Sequence, residues 1–119
     1  MRVLELTKTE YAVEIPKEYV SSQELDQPPE VLHYVAMRPS WKISHLASRA
    51  TLSEKIEVRA AILVGIAGEV EGVLIFSSNL QLAEAPVIEA LCQWQFTPSQ
   101  LDGKPARFYA FQTVYLDLQ

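Results

Sequence analysis

The chain of 119 residues is long enough for one domain with a modest hydrophobic core. Its residues are 49% hydrophobic and 21% charged, as in ordinary globular proteins, and its net charge of −5 argues against nucleic acid as a partner. No run approaches the ~20 apolar residues that a membrane helix needs, and the N-terminus lacks the apolar core of a signal peptide. The sequence as given therefore predicts no route across a membrane.

The N-terminal third predicts an arm or linker rather than a compact fold. Short apolar runs at residues 3–6 and 11–15 are each brief, and Pro16 ends the second. Residues 21–30 are polar and contain Pro28-Pro29, which favours an extended backbone. We predict an arm or linker over residues 1–36, with room for one edge strand, and a compact domain over residues 37–119.

The compact domain is predicted to begin with a short helix from Lys42, because four apolar residues recur there at helical spacing: Ile43, Leu46, Ala47 and Ala50. Residues 56–64 then read as a strand that enters the core, and residues 65–68 as a glycine-containing hairpin loop. Residues 70–76 return as the second strand. Gly72 within that strand indicates a β-bulge or close packing beneath a helix.

A second helix is predicted from about Leu82 to Trp94, with Ser77-Ser78-Asn79 as capping residues. Pro86 is tolerable only in its first turn, where the backbone amide has no partner within the helix. One broad apolar face carries five residues: Val87, Ile88, Leu91, Cys92 and Trp94. We expect Trp94 and Phe96 to pack in the core, and Cys92 to be a small core residue rather than a reactive thiol.

Residues 106–118 alternate as a final strand. One face carries Ala106, Phe108, Ala110, Val114, Leu116 and Leu118, interrupted by Gln112. The other carries Arg107, Tyr109, Phe111, Thr113, Tyr115 and Asp117. The predicted order is helix, strand, strand, helix, strand, which indicates an α+β, two-layer domain with a small antiparallel sheet and helices on one face. Large apolar groups on both faces of a terminal strand favour a binding edge between residues 104 and 118.

The residues predict neither an enzyme nor a cofactor or metal site. The two histidines, His33 and His45, have no carboxylate or cysteine at a metal-ligand spacing. Ser44 precedes His45 without the Gly-rich oxyanion loop expected around a serine nucleophile. Surface polar residues on a short helix are the favoured interpretation of that pair.

Several motifs at fixed spacing resemble the TonB C-terminal domain family over residues 25–118. They are Gly68 with Val70, Ser77-Ser78, Ala90-Leu91, Trp94, Phe96 and Pro98, and Gly103-Lys104-Pro105. The Pro-x-Tyr-Pro motif of the family corresponds to Pro39-Ser40-Trp41-Lys42, in which tryptophan replaces tyrosine and the second proline is missing. The glycine that the family usually has before its first strand is absent around Lys55.

This resemblance implies a periplasmic energy-transducing module without catalytic residues. The last strand would pair with an extended segment, the TonB box, of an outer-membrane TonB-dependent transporter. Members also have an inner-membrane anchor that joins them to a motor of the ExbB/ExbD type. The predicted partner-binding residues are Pro39, Trp41, Arg107, Tyr109, Phe111, Thr113 and Tyr115. The alternative is a stand-alone interaction domain, cytoplasmic in that case, that forms a homodimer through the same strand or binds a different partner.

Overall fold

The computed structural model of the chain describes residues 8–35 and 56–116. The strands are, in chain order, β1 (Thr9–Glu10), β2 (Tyr19–Ser21), β3 (Val31–His33), β4 (Ile56–Val64), β5 (Val70–Ser78), β6 (Gln95–Phe96), β7 (Gln100–Leu101), β8 (Lys104–Pro105) and β9 (Arg107–Leu116). Five of them form one sheet in the order β1-β5-β4-β9-β2, while β3 pairs with β6 and β7 with β8. The one α-helix of the described residues, α1 (Glu84–Leu91), packs on the five-stranded sheet. The α+β class is therefore confirmed at this level.

Strand β4 is the centre of the sheet, because it pairs antiparallel with β5 on one side and with β9 on the other. Its composition suits this position, since β-branched and aliphatic residues pack well on both sides of a buried strand. The even-numbered side chains are at most 1% exposed and point to the helix face, the side on which α1 lies: Ile56, Val58, Ala60, Ile62 and Val64. The opposite side is called the outer face below.

The alternation predicted for the last strand is confirmed where side chains are described. Phe108 is fully buried in the core, and Ala106, Ala110 and Val114 pack against that core. Phe111 and Tyr115 are exposed on the outer face. The side chains of residues 116–118, which the prediction also assigned to the two faces, lie outside the described part.

The hairpin between β4 and β5 matches the prediction. Gly68 has a positive φ of 89°, and a Cβ on it would lie 2.0 Å from the backbone oxygen of Phe96, so only glycine fits. The register passes from Leu63 opposite Gly72 to Val64 opposite Val70, which leaves one extra residue in β5. A bulge beside Gly72, one of the two predicted explanations for that glycine, is thus confirmed.

Helix α1 is shorter than predicted. A 3-10 turn over Gln81–Ala83 precedes it, and Pro86 lies in its first turn as expected. The helix ends at Leu91, so Cys92 does not continue the apolar face and is exposed. The prediction that Cys92 is a core residue is therefore wrong.

Trp94 and Phe96 are buried as predicted, although Trp94 follows the helix instead of belonging to it. The Trp94 indole Nε1 donates a hydrogen bond to the Val35 carbonyl at 2.9 Å. The Trp94 ring centre lies 4.9 Å from that of Tyr34 and 6.3 Å from that of Phe96. These contacts join the N-terminal third of the chain to the core.

Two of the three residues predicted to cap the second helix, Ser78 and Asn79, make side-chain hydrogen bonds to Glu84 and Glu57. The Ser78 hydroxyl donates to the Glu84 carboxylate, and the Asn79 side-chain oxygen accepts from the Glu57 backbone N–H at 2.8 Å. The residues at the two N-cap positions, Leu80 before the 3-10 turn and Ala83 before α1, have apolar side chains that cannot cap. Tyr11 also donates to the Glu84 carboxylate, and that hydrogen bond raises the pKa of the Tyr11 hydroxyl.

The N-terminal segment contributes more than the one edge strand for which the sequence left room. β1 pairs antiparallel with the end of β5, and β2 pairs parallel with the start of β9, at the opposite edge of the sheet. Residues 11–18 therefore span the width of the sheet, and a 3-10 turn over Ser22–Glu24 follows β2. The antiparallel sheet of the prediction is corrected to a mixed one, because β2 and β9 run in the same direction.

Asp26 holds this segment against the turn of the Gly-Lys-Pro motif. Its two carboxylate oxygens accept the backbone N–H groups of Asp102 and Gly103 at 2.8 and 2.9 Å. Both turn residues have positive φ, 53° and 77°. The predicted domain boundary at residue 37 and the predicted helix from Lys42 lie outside the described residues.

Candidate strand-addition edge

Within residues 8–35 and 56–116, the predicted binding strand lacks a partner on one side along only part of its length. β9 pairs with β4 from Phe108 to Leu116, and its other side pairs with β2 at Arg107–Tyr109. β2 therefore occupies the first third of the edge that the sequence assigned to a partner. Arg107 and Tyr109, two of the predicted partner-binding residues, lie in this covered part.

The direction of the backbone groups in β9 follows from hydrogen bonds at the start of β4. The Glu57 N–H donates to the Asn79 side chain, and the Glu57 carbonyl accepts from the Asn79 N–H at 3.2 Å, so both Glu57 groups point toward β5. Backbone groups of successive strand residues point alternately to the two sides. The backbone N–H and C=O groups of the even-numbered residues of β4 therefore point toward β9, while their side chains point to the helix face.

The even-numbered residues of β4 pair with even-numbered residues of β9, in an unbroken register that includes Ala60 opposite Gln112 and Val58 opposite Val114. The odd-numbered residues of β9 consequently direct their N–H and C=O groups away from β4. The Thr113 carbonyl agrees with this direction, because it accepts a hydrogen bond from the Gln112 side-chain nitrogen at 3.1 Å.

We call the outward backbone groups of Phe111, Thr113 and Tyr115 the open edge. Among residues 8–35 and 56–116, no strand pairs with it. The Phe111 and Tyr115 side chains are 66% and 59% exposed on the outer face. An unpaired strand edge with exposed apolar side chains is a template for pairing with another chain.

The outer face beside the open edge is aromatic. The Phe111 ring makes edge-to-face contacts with Phe76 and Tyr109, with ring centres 5.4 and 5.5 Å apart. Ala61 and Leu63, which lie opposite Phe111 and Tyr109 in the register, are buried. The rings of Phe76, Tyr109 and Phe111 therefore form one contiguous aromatic surface.

Two charged pairs lie at the ends of the outer face. At one end, the Glu71 Oε1 accepts from the Tyr19 hydroxyl at 2.8 Å and from Arg107 Nε at 3.1 Å. Burial, followed by the hydrogen bond to Glu71, raises the pKa of Tyr19 to about 12. At the other end, Arg59 Nε lies 2.7 Å from Glu57 Oε1.

The first charged pair adds a side-chain link to the backbone pairing of β2 with β9. Tyr19 belongs to β2, Arg107 to β9 and Glu71 to β5, so one carboxylate connects three strands. The Arg107 side chain is therefore engaged in an ion pair within the chain, although it is 41% exposed. Its role in partner binding stays a prediction.

On the helix face, a cleft of about 210 Å³ borders the open edge. It is lined by Tyr34, Val35, Val87, Ala90, Leu91, Trp94, Gln112, Thr113, Val114 and Tyr115. We call it the edge cleft. None of these lining residues is charged.

The structure groups three of the predicted site residues, Phe111, Thr113 and Tyr115, at the open edge, while Pro39 and Trp41 lie outside the described residues. The sequence analysis missed further residues that shape this edge. Tyr19 and Glu71 fix β2, and Tyr34 and Ala90 line the cleft. A short β-prone run at residues 19–21 was the one signal for β2, and nothing local indicated its distant partner.

Within residues 8–35 and 56–116, no three His, Cys, Asp or Glu side chains are grouped as a metal ion requires. In the same residues, no helix is both long and apolar enough to cross a membrane. Comparison with family models, with curated proteins and with solved structures found no match.

Proposed function

We propose that this chain is a protein-interaction module that binds an extended segment of its partner by strand addition at the open edge. The observation that carries the proposal is the open edge itself. Its three outward-facing residues pair with no strand among residues 8–35 and 56–116, and two of them carry exposed aromatic side chains. Main-chain hydrogen bonds supply affinity in this mode, and alternate side chains supply selectivity.

The finer proposal is a TonB-like energy-transducing module with the layout of that family's C-terminal domain. Its support is the resemblance in the motifs from Gly68 to Pro105, together with a last strand that has an open edge. The partner is then the TonB box of an outer-membrane transporter, and the domain works in the periplasm, joined through an inner-membrane anchor to a motor of the ExbB/ExbD type. The role is binding and transmission of force, without catalysis.

Self-association is the second candidate, and the same edge favours it. Two copies of the open edge can pair antiparallel about a two-fold axis, because an isologous contact needs only one self-complementary surface. Phe111 and Tyr115 would then be covered by their counterparts. Such a dimer would compete with partner binding, and its population would rise with protein concentration.

A single substitution tests strand addition. Thr113→Pro removes one outward N–H and places a ring on the open edge, whereas Thr113→Val keeps the N–H and a β-branched shape. In calorimetric titration with short extended peptides from outer-membrane transporters, the affinity should fall about tenfold or more in Thr113→Pro. The reason is that a backbone hydrogen bond is lost and the ring obstructs the ladder.

The matched Thr113→Val protein should bind within about twofold of the parent, since no backbone group changes. Equal binding by all three proteins would refute strand addition at this edge. Sedimentation of the peptide-free proteins distinguishes the second candidate, because a dimer that Thr113→Pro dissociates would place self-pairing at the same edge.

A further inference from the structure

The edge cleft lies where an added strand would direct half of its side chains. Gln112 and Val114 are even-numbered and direct their side chains to the helix face, and both line the cleft beside the open edge. A strand paired with β9 has its side chains on the same face as those of the residues directly opposite. Side chains opposite Gln112 or Val114 would therefore enter the cleft.

The wall of the cleft that α1 forms is apolar and suits an aliphatic group. Val87, Ala90 and Leu91 of α1 are all at most 7% exposed, so the wall that they form is already fixed by packing. Trp94 is held by its hydrogen bond to the Val35 carbonyl and by contact with the Tyr34 ring. The side of the cleft formed by α1 and Trp94 is therefore preformed, whereas Tyr34 and Tyr115 on its other sides are exposed.

The same lining disfavours a charged group. None of the described residues that line the cleft carries a charge that could pair with one from a partner. Burying a charge without a partner is strongly unfavourable, whereas an aliphatic side chain gains from leaving water. The Gln112 amide, a polar group of the lining, already donates to the Thr113 carbonyl.

We propose that the edge cleft is a specificity pocket for one aliphatic side chain of the added strand, at the position opposite Gln112 or Val114. The preferred partner is thus an extended segment with an aliphatic residue at that position, and its neighbours along the strand lie over Phe111 and Tyr115 on the outer face. This inference rests on the proposed strand addition, because the pocket receives a side chain only from a strand held at the open edge.

The test uses short peptides selected from a displayed library for binding to the full chain. Each selected peptide is compared with its single alanine replacements, on the parent protein and on Ala90→Leu, which fills the cleft. Ala85→Leu is the matched control, because Ala85 is on the same helix and exposed. Thermal melts establish that each variant is folded at the temperature of the assay.

We expect one aliphatic position at which alanine weakens binding to the parent about tenfold, the lower end of the range for apolar pockets. That discrimination should fall below about twofold in Ala90→Leu and persist in Ala85→Leu. The chain has two tryptophans, so the indole N–H resonance of Trp94 in NMR spectra is assigned by its loss in Trp94→Phe. That resonance should shift with the aliphatic peptide and not with its alanine form.

Two other results would overturn different parts of the proposal. In the first, the peptides bind less tightly to Thr113→Pro, but the aliphatic and alanine forms differ in affinity equally on the parent and on Ala90→Leu. This result would overturn the pocket and would still support strand addition. A library that yields no peptide dependent on Thr113 would overturn both the pocket and the proposed function.

Discussion

Adjacent proline substitutions in β9 should have very different effects on stability, because the backbone groups of neighbouring residues point to opposite sides. Gln112 pairs with Ala60, and Ala60 is 1% exposed. Gln112→Pro removes the N–H that points to β4 and leaves the Ala60 carbonyl without its donor. The lost hydrogen bond and the unsatisfied buried carbonyl together cost roughly 2–4 kcal/mol.

Thr113→Pro removes an N–H that points away from β4, so the ladder with β4 stays complete. The remaining cost is the loss of a good strand former and some strain in φ, about 1 kcal/mol. That strain affects both proline variants, so the expected difference between them is the roughly 2–4 kcal/mol of the lost hydrogen bond and the unsatisfied carbonyl. For a domain of this size, 1 kcal/mol shifts the melting temperature by roughly 4 °C, so the two variants should melt about 8 °C or more apart.

The assay is thermal unfolding followed by circular dichroism, with Gln112→Val and Thr113→Val as controls that keep the N–H groups. Both valine variants should melt within a few degrees of the parent. If Gln112→Pro and Thr113→Pro lose the same stability, or if Thr113→Pro loses more, the assignment of outward groups to the odd-numbered residues of β9 is wrong.

Three further predictions concern the core, the β2 contact and the exposed cysteine. Trp94→Ala should destabilise the domain by about 3–5 kcal/mol, because it opens a cavity in the core and removes the donor of the Val35 carbonyl. Trp94→Phe should cost clearly less, and chemical denaturation measures both variants. A loss of less than about 1 kcal/mol in Trp94→Ala would contradict the packing of Trp94 in the core. The pKa of Tyr19 is raised from 10.0 to about 12 in the folded protein, so its contribution to stability is complete below pH 10 and is lost as the pH rises toward 12. Tyr19→Phe should flatten the fall in melting temperature over that range, and an unchanged pH profile would speak against the Tyr19 contact with Glu71. The Cys92 thiol should react fully with a thiol reagent in the native protein, whereas reaction only on unfolding would restore the core position first predicted for it.

The parts of the fold that follow from local patterns were predictable. β4, β5 and β9 each carry enough alternating or apolar residues to define a strand, and Gly68 marks the hairpin. The end of α1 was harder to predict, because the apolar pattern continues past Leu91 although the helix ends there. Trp94 was predicted to be buried on the apolar face of the helix. It is buried, but because the chain turns back onto the core after the helix has ended.

The sequence predicted which side chains of the site share a face, but it did not predict which part of the strand edge is paired. Alternation placed Phe111, Thr113 and Tyr115 on one face, but a sequence pattern does not say which edge of a strand its neighbours cover. The coverage by β2 depends on a short strand near one end of the chain that meets the last strand near the other end. Such contacts have no local signal, because their stabilisation comes from tertiary packing and from the Glu71 carboxylate.

Amide hydrogen exchange of β9 tests strand addition at the open edge most directly. It is measured by NMR on the free protein and on the protein saturated with an edge-binding peptide. We expect the amides of Gln112 and Val114 to be protected in both states, since they pair with β4. The amides of Phe111, Thr113 and Tyr115 should exchange quickly in the free protein and become protected, about tenfold or more, when the peptide is bound. Unchanged exchange at these three amides in the peptide complex would contradict strand addition at the open edge.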